Sequence, residues 1–107
     1  MSKPRIAIVG ASGFVGACLI ERLHFDETWR DRFDFVAFIH GFGNAARVAR
    51  LPVKIEPLDL LDFPRVSSAL RGFDAVVNCT RGDSALMLRG LRNLGRAMEH
   101  NGVRKFV

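Results

Sequence analysis

Residues 5–16 of the chain read RIAIVGASGFVG, and this stretch decides how the rest of the sequence is interpreted. The unbroken apolar run at its start is typical of a strand buried on both faces, so residues 5–9 are predicted to form a strand. Three glycines follow, and apolar residues then recur at helical spacing. The sequence therefore predicts a strand, a glycine turn and a helix over residues 14–23.

The same alternation of short apolar runs and longer amphipathic stretches continues to the end of the chain. The predicted strands cover residues 5–9, 35–39, 53–58, 75–79 and 104–107. The predicted helices cover residues 14–23, 44–50, 62–71 and 84–100. One apolar stripe of the last helix consists of Met87, Leu91, Leu94 and Met98.

Residues at the predicted helix ends agree with these boundaries. Asn44 and Asp62 are predicted N-caps, because short polar side chains accept hydrogen bonds from first-turn N–H groups. Pro64 falls in a first turn, where no backbone N–H is needed. Gly72 and the pair Asn101-Gly102 are predicted to end their helices.

Strands that are apolar on both faces and joined by helices require a parallel sheet that is covered on both sides. Right-handed crossovers wind such strands into a doubly wound sheet, for which we predict the order 3-2-1-4-5. The expected architecture is an α/β fold of about five strands. The 107 residues leave room for a single domain.

Composition excludes several classes of protein. With 49% hydrophobic residues the chain is too apolar for intrinsic disorder. Its apolar runs are far shorter than the roughly 20 residues of a membrane-spanning helix, and the first residues lack the long apolar core of a secretory signal, so none is expected. We expect a cytoplasmic protein with no membrane partner. The net charge of +5 is spread along the chain, with only Arg89, Arg92 and Arg96 at helical spacing, which favours a solvated face over a nucleic-acid surface.

Neither cysteine nor histidine is arranged to bind a metal. Cys18 and Cys79 are far apart and are predicted to be reduced, buried small hydrophobes. His24, His40 and His100 are also widely separated in sequence. No metal site is predicted.

The glycine turn has the residues that a diphosphate needs. Gly10 permits a tight turn, Gly13 leaves the backbone N–H groups open to a pyrophosphate, and Gly16 lets the helix lie close to the strand. Ser12 adds a hydroxyl donor, and the helix N-terminus adds partial positive charge. The alternative is a turn that only changes the direction of the chain.

The spacing Gly-x-x-Gly-x-x-Gly resembles that of the extended short-chain dehydrogenase/reductases, the nucleotide-sugar epimerase and dehydratase group. Three further stretches resemble motifs of the same family: LDLLD at residues 58–62, DAVVNCT at 74–80, and the last helix with its exit, from LRNL at 91–94 through GVRKFV at 102–107. The resemblance implies a Rossmann fold that binds NAD(P), with Asp59 in contact with the adenine and the end of the fourth strand beside the cofactor. The implied cofactor-binding residues are Gly10, Ser12, Gly13, Phe14, Val15, Gly16, His40, Arg47, Asp59, Leu60, Cys79, Thr80 and Arg81.

The fourth-strand motif departs from the family pattern. Asn78 stands where the family usually has His, and Thr80 and Arg81 replace two small residues. Arg81 either binds a phosphate or turns outward into solvent.

The sequence favours NADP over NAD. A site selective for NAD has an acidic residue at the end of the second strand, and this chain has His40 there. Asp31 and Asp34 precede that strand and so lie at the wrong edge. His40, with Arg47 or Arg50, could attract a 2′-phosphate; the alternative is that both arginines are solvated.

The resemblance also implies a catalytic Tyr and a Lys four residues later, and this chain contains no Tyr. Residues 1–107 are therefore expected to be the cofactor-binding domain of a longer enzyme that acts on a nucleotide-sugar or another carbonyl or hydroxyl substrate by hydride transfer. No catalysis is expected from these residues alone. The alternative is a non-catalytic NAD(P)H-binding sensor or structural module. The uncovered edge of the fifth strand predicts self-association.

Overall fold

The computed structural model describes residues 3–11, 13–40, 49, 53–82, 84 and 86–107. The strands in these residues are β1 (Arg5–Val9), β2 (Asp34–Ile39), β3 (Lys54–Pro57), β4 (Ala75–Asn78) and β5 (Lys105–Phe106). The helices are α1 (Phe14–Phe25), α2 (Glu27–Arg30), α3 (Phe63–Ala69) and α4 (Leu91–Asn101), and a π-helical turn (Leu86–Gly90) leads into α4.

The strands form one sheet in the order β3-β2-β1-β4-β5. Every neighbouring pair is parallel, and β1 lies in the middle, where Ile6 is opposite Phe35 of β2 and Ala75 of β4. The predicted doubly wound sheet and its strand order are thereby confirmed. Parallel pairing also means that all the strands end at one edge of the sheet, here called the carboxyl edge.

Helices cover both faces of the sheet. On one face α1 turns Gly16, Ala17 and Ile20 towards the strands. On the other face α3 and α4 pack against the sheet through a larger apolar cluster, which includes Val66 and Leu94. This two-sided burial explains why the central strands are continuous apolar runs.

Capping follows the predicted chemistry where the structure describes it. The Asp62 carboxylate accepts the Arg65 N–H at 3.4 Å, with Pro64 in the first turn of α3. Gly102 ends α4 in the left-handed conformation, with φ of +70°. The predicted helix over residues 44–50, with Asn44 as its cap, lies outside the described residues apart from Ala49.

Several predicted details are wrong. Cys18 is exposed, because the buried face of α1 is on the opposite side of the helix. Only half of the stripe on the last helix is buried: Leu94 and Met98 are in the core, but Met87 is 45% and Leu91 46% exposed. Met87 lies in the π-helical turn, whose extra residue shifts the helical register, and Leu91 lines an open groove.

Other boundaries differ by a few residues. Helix α3 ends at Ala69 rather than at residue 71. The sequence analysis also missed α2, which begins where the Asp26 carboxylate accepts the Thr28 N–H at 2.9 Å. Among the described helices, none is long and apolar enough to cross a membrane.

Candidate functional site

The carboxyl edge brings together the predicted site residues that the structure describes. Gly10 follows β1, His40 follows β2, Asp59 follows β3, and Cys79 follows β4. In a doubly wound sheet this edge has a crevice where the chain changes direction between neighbouring strands, here between β1 and β4. Ser12 and Arg47 lie outside the described residues, as does Arg50.

Close backbone contacts explain two of the three glycines in the turn. Gly10 has φ of +76°, and a Cβ there would lie 2.7 Å from the Cys79 carbonyl carbon and the Thr80 nitrogen. A Cβ at Gly16 would lie 2.5 Å from the Gly10 oxygen and 2.7 Å from the Ala11 Cα. Any side chain at either position would collide with backbone, so the fold itself requires both glycines.

In the described part of the chain, no close contact requires the third glycine. Gly13 is exposed and has an ordinary φ of −72°, and among the described residues that are not its chain neighbours a Cβ there would meet only the Gly10 oxygen, at 3.5 Å. Gly13 is also the N-cap of α1 without a side-chain cap, and the first turn holds no acidic residue. The first-turn N–H groups and the positive end of the helix dipole are therefore open to an anion that approaches from outside.

The glycine turn is anchored to both neighbouring strands. The Phe38 carbonyl accepts the N–H groups of Gly10 and Ala11, each at 3.1 Å, and the Val9 carbonyl accepts the Cys79 N–H at 2.8 Å. Phe14 and Val15, the first residues of α1, are 72% and 57% exposed. Gly10 and Ala11 are thus bonded to β2, the chain after β4 is bonded to β1, and the first residues of α1 face solvent.

A local hydrogen-bond pair fixes the chain after β4. The Asn78 Oδ1 accepts the Thr80 N–H at 3.1 Å and the Thr80 hydroxyl at 2.6 Å. This bend holds Thr80 against Gly10 and leaves Arg81 exposed at the carboxyl edge. Burial raises the pKa of the Cys79 thiol, so this cysteine is a weak nucleophile.

At the end of β2 the structure places an exposed histidine. His40 directly follows Ile39, while Asp34 begins β2 and so lies at the opposite edge of the sheet. The placement of both residues matches the prediction. The end of β2 at the carboxyl edge therefore carries the imidazole of His40, while the side chain of Asp34 lies at the opposite edge of the sheet.

The segment after β3 forms a tight turn. The Asp59 carboxylate accepts the Leu61 N–H at 2.9 Å, and the Asp59 carbonyl accepts the Asp62 N–H at 3.1 Å. Asp59 is exposed, whereas Leu60 is buried. The Asn93 side chain of α4 donates to the Leu60 carbonyl at 2.7 Å. Asn93 was not among the predicted site residues, although it lies in the stretch LRNL at residues 91–94 that resembles the family's helix.

Comparison with known proteins agrees with this geometry. A family model described as NAD(P)H-binding matches residues 10–107. The search of curated protein sequences finds no match. One similar solved structure is a Rossmann-fold NAD(P)-binding family protein from Shigella flexneri, with a TM-score of 0.78 and 18% identity over 98% of this chain and 50% of that one.

Two further similar structures are enzymes by name. An NADPH-dependent quinone oxidoreductase from Escherichia coli, complexed with NADPH, has a TM-score of 0.77 and 24% identity over 94% of this chain and 35% of its own. A nucleoside-diphosphate-sugar epimerase from Staphylococcus aureus has a TM-score of 0.74 and 20% identity over 95% and 36%. The chain spans half of the first structure and about a third of the other two. At these identities the likeness shows a shared fold.

Proposed function

The chain belongs to the NAD(P)H-binding family, and from this premise we propose that it is the cofactor-binding portion of an enzyme similar to the extended short-chain dehydrogenase/reductases. The observation that carries the proposal is Gly13, at the N-terminus of α1, where no close contact with the residues that the structure describes calls for a glycine. A diphosphate has to come close to the backbone N–H groups, and a side chain at this position would block its approach.

The residues around the turn divide into two groups. On the β2 and β3 side, His40 and Asp59 would hold the adenosine half of the cofactor, with Asp59 directed at the adenine. On the β4 side, Cys79, Thr80 and Arg81 would line the nicotinamide half. Arg47 and Ser12 complete the proposed set on the grounds of sequence alone. When bound, the nicotinamide ring supplies or accepts a hydride.

The proposed preference for NADP rests on charge. At the end of β2 the described chain offers His40 and no carboxylate, so nothing there repels a 2′-phosphate. We expect NADPH to bind more tightly than NADH. NADH binding that is tighter by about tenfold would refute the preference.

Catalysis is assigned to a part of the enzyme outside these residues. The chain has no Tyr, so the Tyr that would exchange the hydroxyl proton is not among them. The proposed reaction is hydride transfer on a nucleotide-sugar or another carbonyl or hydroxyl substrate. The second candidate is an NAD(P)H-binding sensor or structural module without turnover.

Two measurements test the proposal and separate the candidates. Fluorescence titration of the 107-residue chain with NADPH and NADH should give saturable binding of at least one of them; no binding of either would refute cofactor binding. The product of the complete reading frame should then be assayed with nucleotide-sugar and carbonyl substrates. Turnover supports the enzyme, and binding without turnover supports the module.

A further inference from the structure

Helix α4 carries two asparagines that make matching hydrogen bonds to the chain around α3. The Asn93 side-chain nitrogen donates to the Leu60 carbonyl at 2.7 Å. Eight residues later, the Asn101 side-chain nitrogen donates to the Ser67 carbonyl at 2.7 Å and to the Ala97 carbonyl at 2.9 Å. Both bonds are partly buried, and both tie α4 to a backbone carbonyl more than 30 residues earlier in the sequence. The two bonds differ in the segment of the chain that each one fixes.

Asn101 holds the middle of α3, whereas Asn93 holds the turn that presents Asp59. Leu60 is the residue directly after Asp59, and its side chain is 3% exposed. Gly90 makes room for it, since a Cβ at Gly90 would approach the Leu60 Cβ to 3.2 Å. The Leu60 side chain and carbonyl are therefore both fixed from the α4 side of the molecule.

The Asp59 carboxylate can move only as far as this turn allows. Its Oδ1 is already bonded to the Leu61 N–H, so the carboxylate orientation follows the backbone of residues 59–61. Loss of the Asn93 donor would leave the buried Leu60 carbonyl without its partner, and the turn would relax towards solvent or an alternative donor. A site must hold its groups to within about 0.5 Å to keep its selectivity.

We propose that Asn93 is a positioning residue for recognition of the adenine. It acts through the Leu60 carbonyl to aim the Asp59 carboxylate at the exocyclic amino group of the base. This inference rests on the proposed function, because it requires that the adenosine half lies on the β3 side. The bound base would donate its amino N–H to the carboxylate, a charge-assisted hydrogen bond that hypoxanthine, with oxygen at that position, cannot make.

The test compares NADPH with its deaminated analogue, in which hypoxanthine replaces adenine. The unchanged protein should prefer NADPH by about tenfold or more, as expected for loss of one hydrogen bond to a charged group. Asn93→Ala should reduce that preference to about threefold or less. Asn93→Gln, which restores a longer amide donor, should recover part of it.

Asn101→Ala is the matched control. It removes a bond of the same length from α4 to the chain around α3, and also the bond to the Ala97 carbonyl, so it should lower the urea midpoint at least as much as Asn93→Ala, yet keep the full preference for NADPH. A merely structural role for Asn93 would move stability in both variants and the preference in neither. That result would overturn the inference.

Failure of the inference can be distinguished from failure of the proposed function. If the unchanged protein binds neither dinucleotide, the proposed function fails and the inference fails with it. If it binds both with equal affinity, cofactor binding stands but the adenine amino group is not recognised, and the inference alone is refuted.

Discussion

The three glycines of the turn illustrate how one residue type serves different physical needs. Gly10 and Gly16 are required because backbone atoms lie less than 3 Å from where their Cβ atoms would be. Gly13 has no such neighbour among the residues that the structure describes, so a Cβ there would meet no described backbone atom at that distance. Sequence spacing alone treats the three as equivalent, and the contacts separate them.

Substitution of Gly16 tests the structural part of this distinction. Gly16→Ala should lower the free energy of unfolding by about 1–3 kcal/mol, because the new methyl group meets the Gly10 oxygen and Ala11 Cα rather than a side chain that can move away. Gly95 is the control: it lies in α4, and apart from the adjacent backbone of that helix no described residue lies within 4 Å of its Cβ position. Gly95→Ala should raise stability by up to about 1 kcal/mol. Urea denaturation measures the free energy of unfolding of both variants. Equal changes in the two would contradict the conclusion that backbone contacts require a glycine at position 16.

The reactivity of Cys79 gives a pH-dependent prediction at the same scale. Burial raises the pKa of this thiol above its ordinary value of 9.0, and the thiolate is the reactive form. Alkylation of Cys79 by iodoacetamide should therefore be slow at pH 8 and still accelerating above pH 9. NADPH should slow the reaction at Cys79 and leave the exposed Cys18 unaffected. Peptide mass spectrometry follows both sites; protection of Cys18 alone would place the cofactor elsewhere.

At the scale of elements, two nearby carboxylates in the connection from β3 to α3 have different structural roles. Asp59 shapes the turn and is exposed at the carboxyl edge. Asp62 caps α3 through the Arg65 N–H. The sequence analysis assigned the cap from local chemistry and the adenine contact from family resemblance, and the structure describes the cap directly.

Paired substitutions should separate these roles. Asp62→Ala should cost about 1 kcal/mol of stability with little change in NADPH affinity, because a helix cap is lost and the site is not touched. Asp59→Asn retains an oxygen for the Leu61 N–H but removes the charge, so it should weaken NADPH binding about tenfold at nearly constant stability. Thermal unfolding and calorimetric titration of both variants check this, and the reverse pattern would refute it.

What could be predicted from the sequence depended on the range of the interaction. The strands, their parallel order and the cap at Asp62 follow from local periodicity and capping chemistry. The Asn93 bond to Leu60 was missed because its partners are 33 residues apart. The π-helical turn was missed because Met87 and Leu91 fit the helical spacing of the predicted stripe, and the burial of Gly90 against Leu60 is visible only in the fold.

At the scale of the whole molecule, helices cover both faces of the sheet, and apolar side chains are exposed around β5. Phe106 is 46% and Val107 80% exposed, and an apolar groove lined by Leu91, Met98 and Val103 lies beside them. Among the described strands β5 pairs only with β4, so within residues 1–107 its other side offers backbone groups for pairing. These features favour association of the chain with itself.

The 107-residue chain should therefore self-associate as its concentration rises, as measured by sedimentation velocity. Phe106→Glu should shift the chain towards monomer, because it places a charge on the open edge. Phe25→Glu is the control. Phe25 is 65% exposed, and it lies on α1, the helix that follows the central strand β1 and not the edge strand β5. A monodisperse chain with a sharp, high melting transition would contradict the expectation.

Calorimetric titration of Gly13→Asp with NADPH, beside thermal unfolding of the same variant, tests the glycine turn most directly. An Asp at this N-cap should cap α1 and complement its dipole, so the melting temperature should stay the same or rise. The added carboxylate would occupy and repel the diphosphate position, so the affinity for NADPH should fall more than about tenfold. A variant that binds NADPH as tightly as the unchanged protein would show that the diphosphate does not lie on this turn.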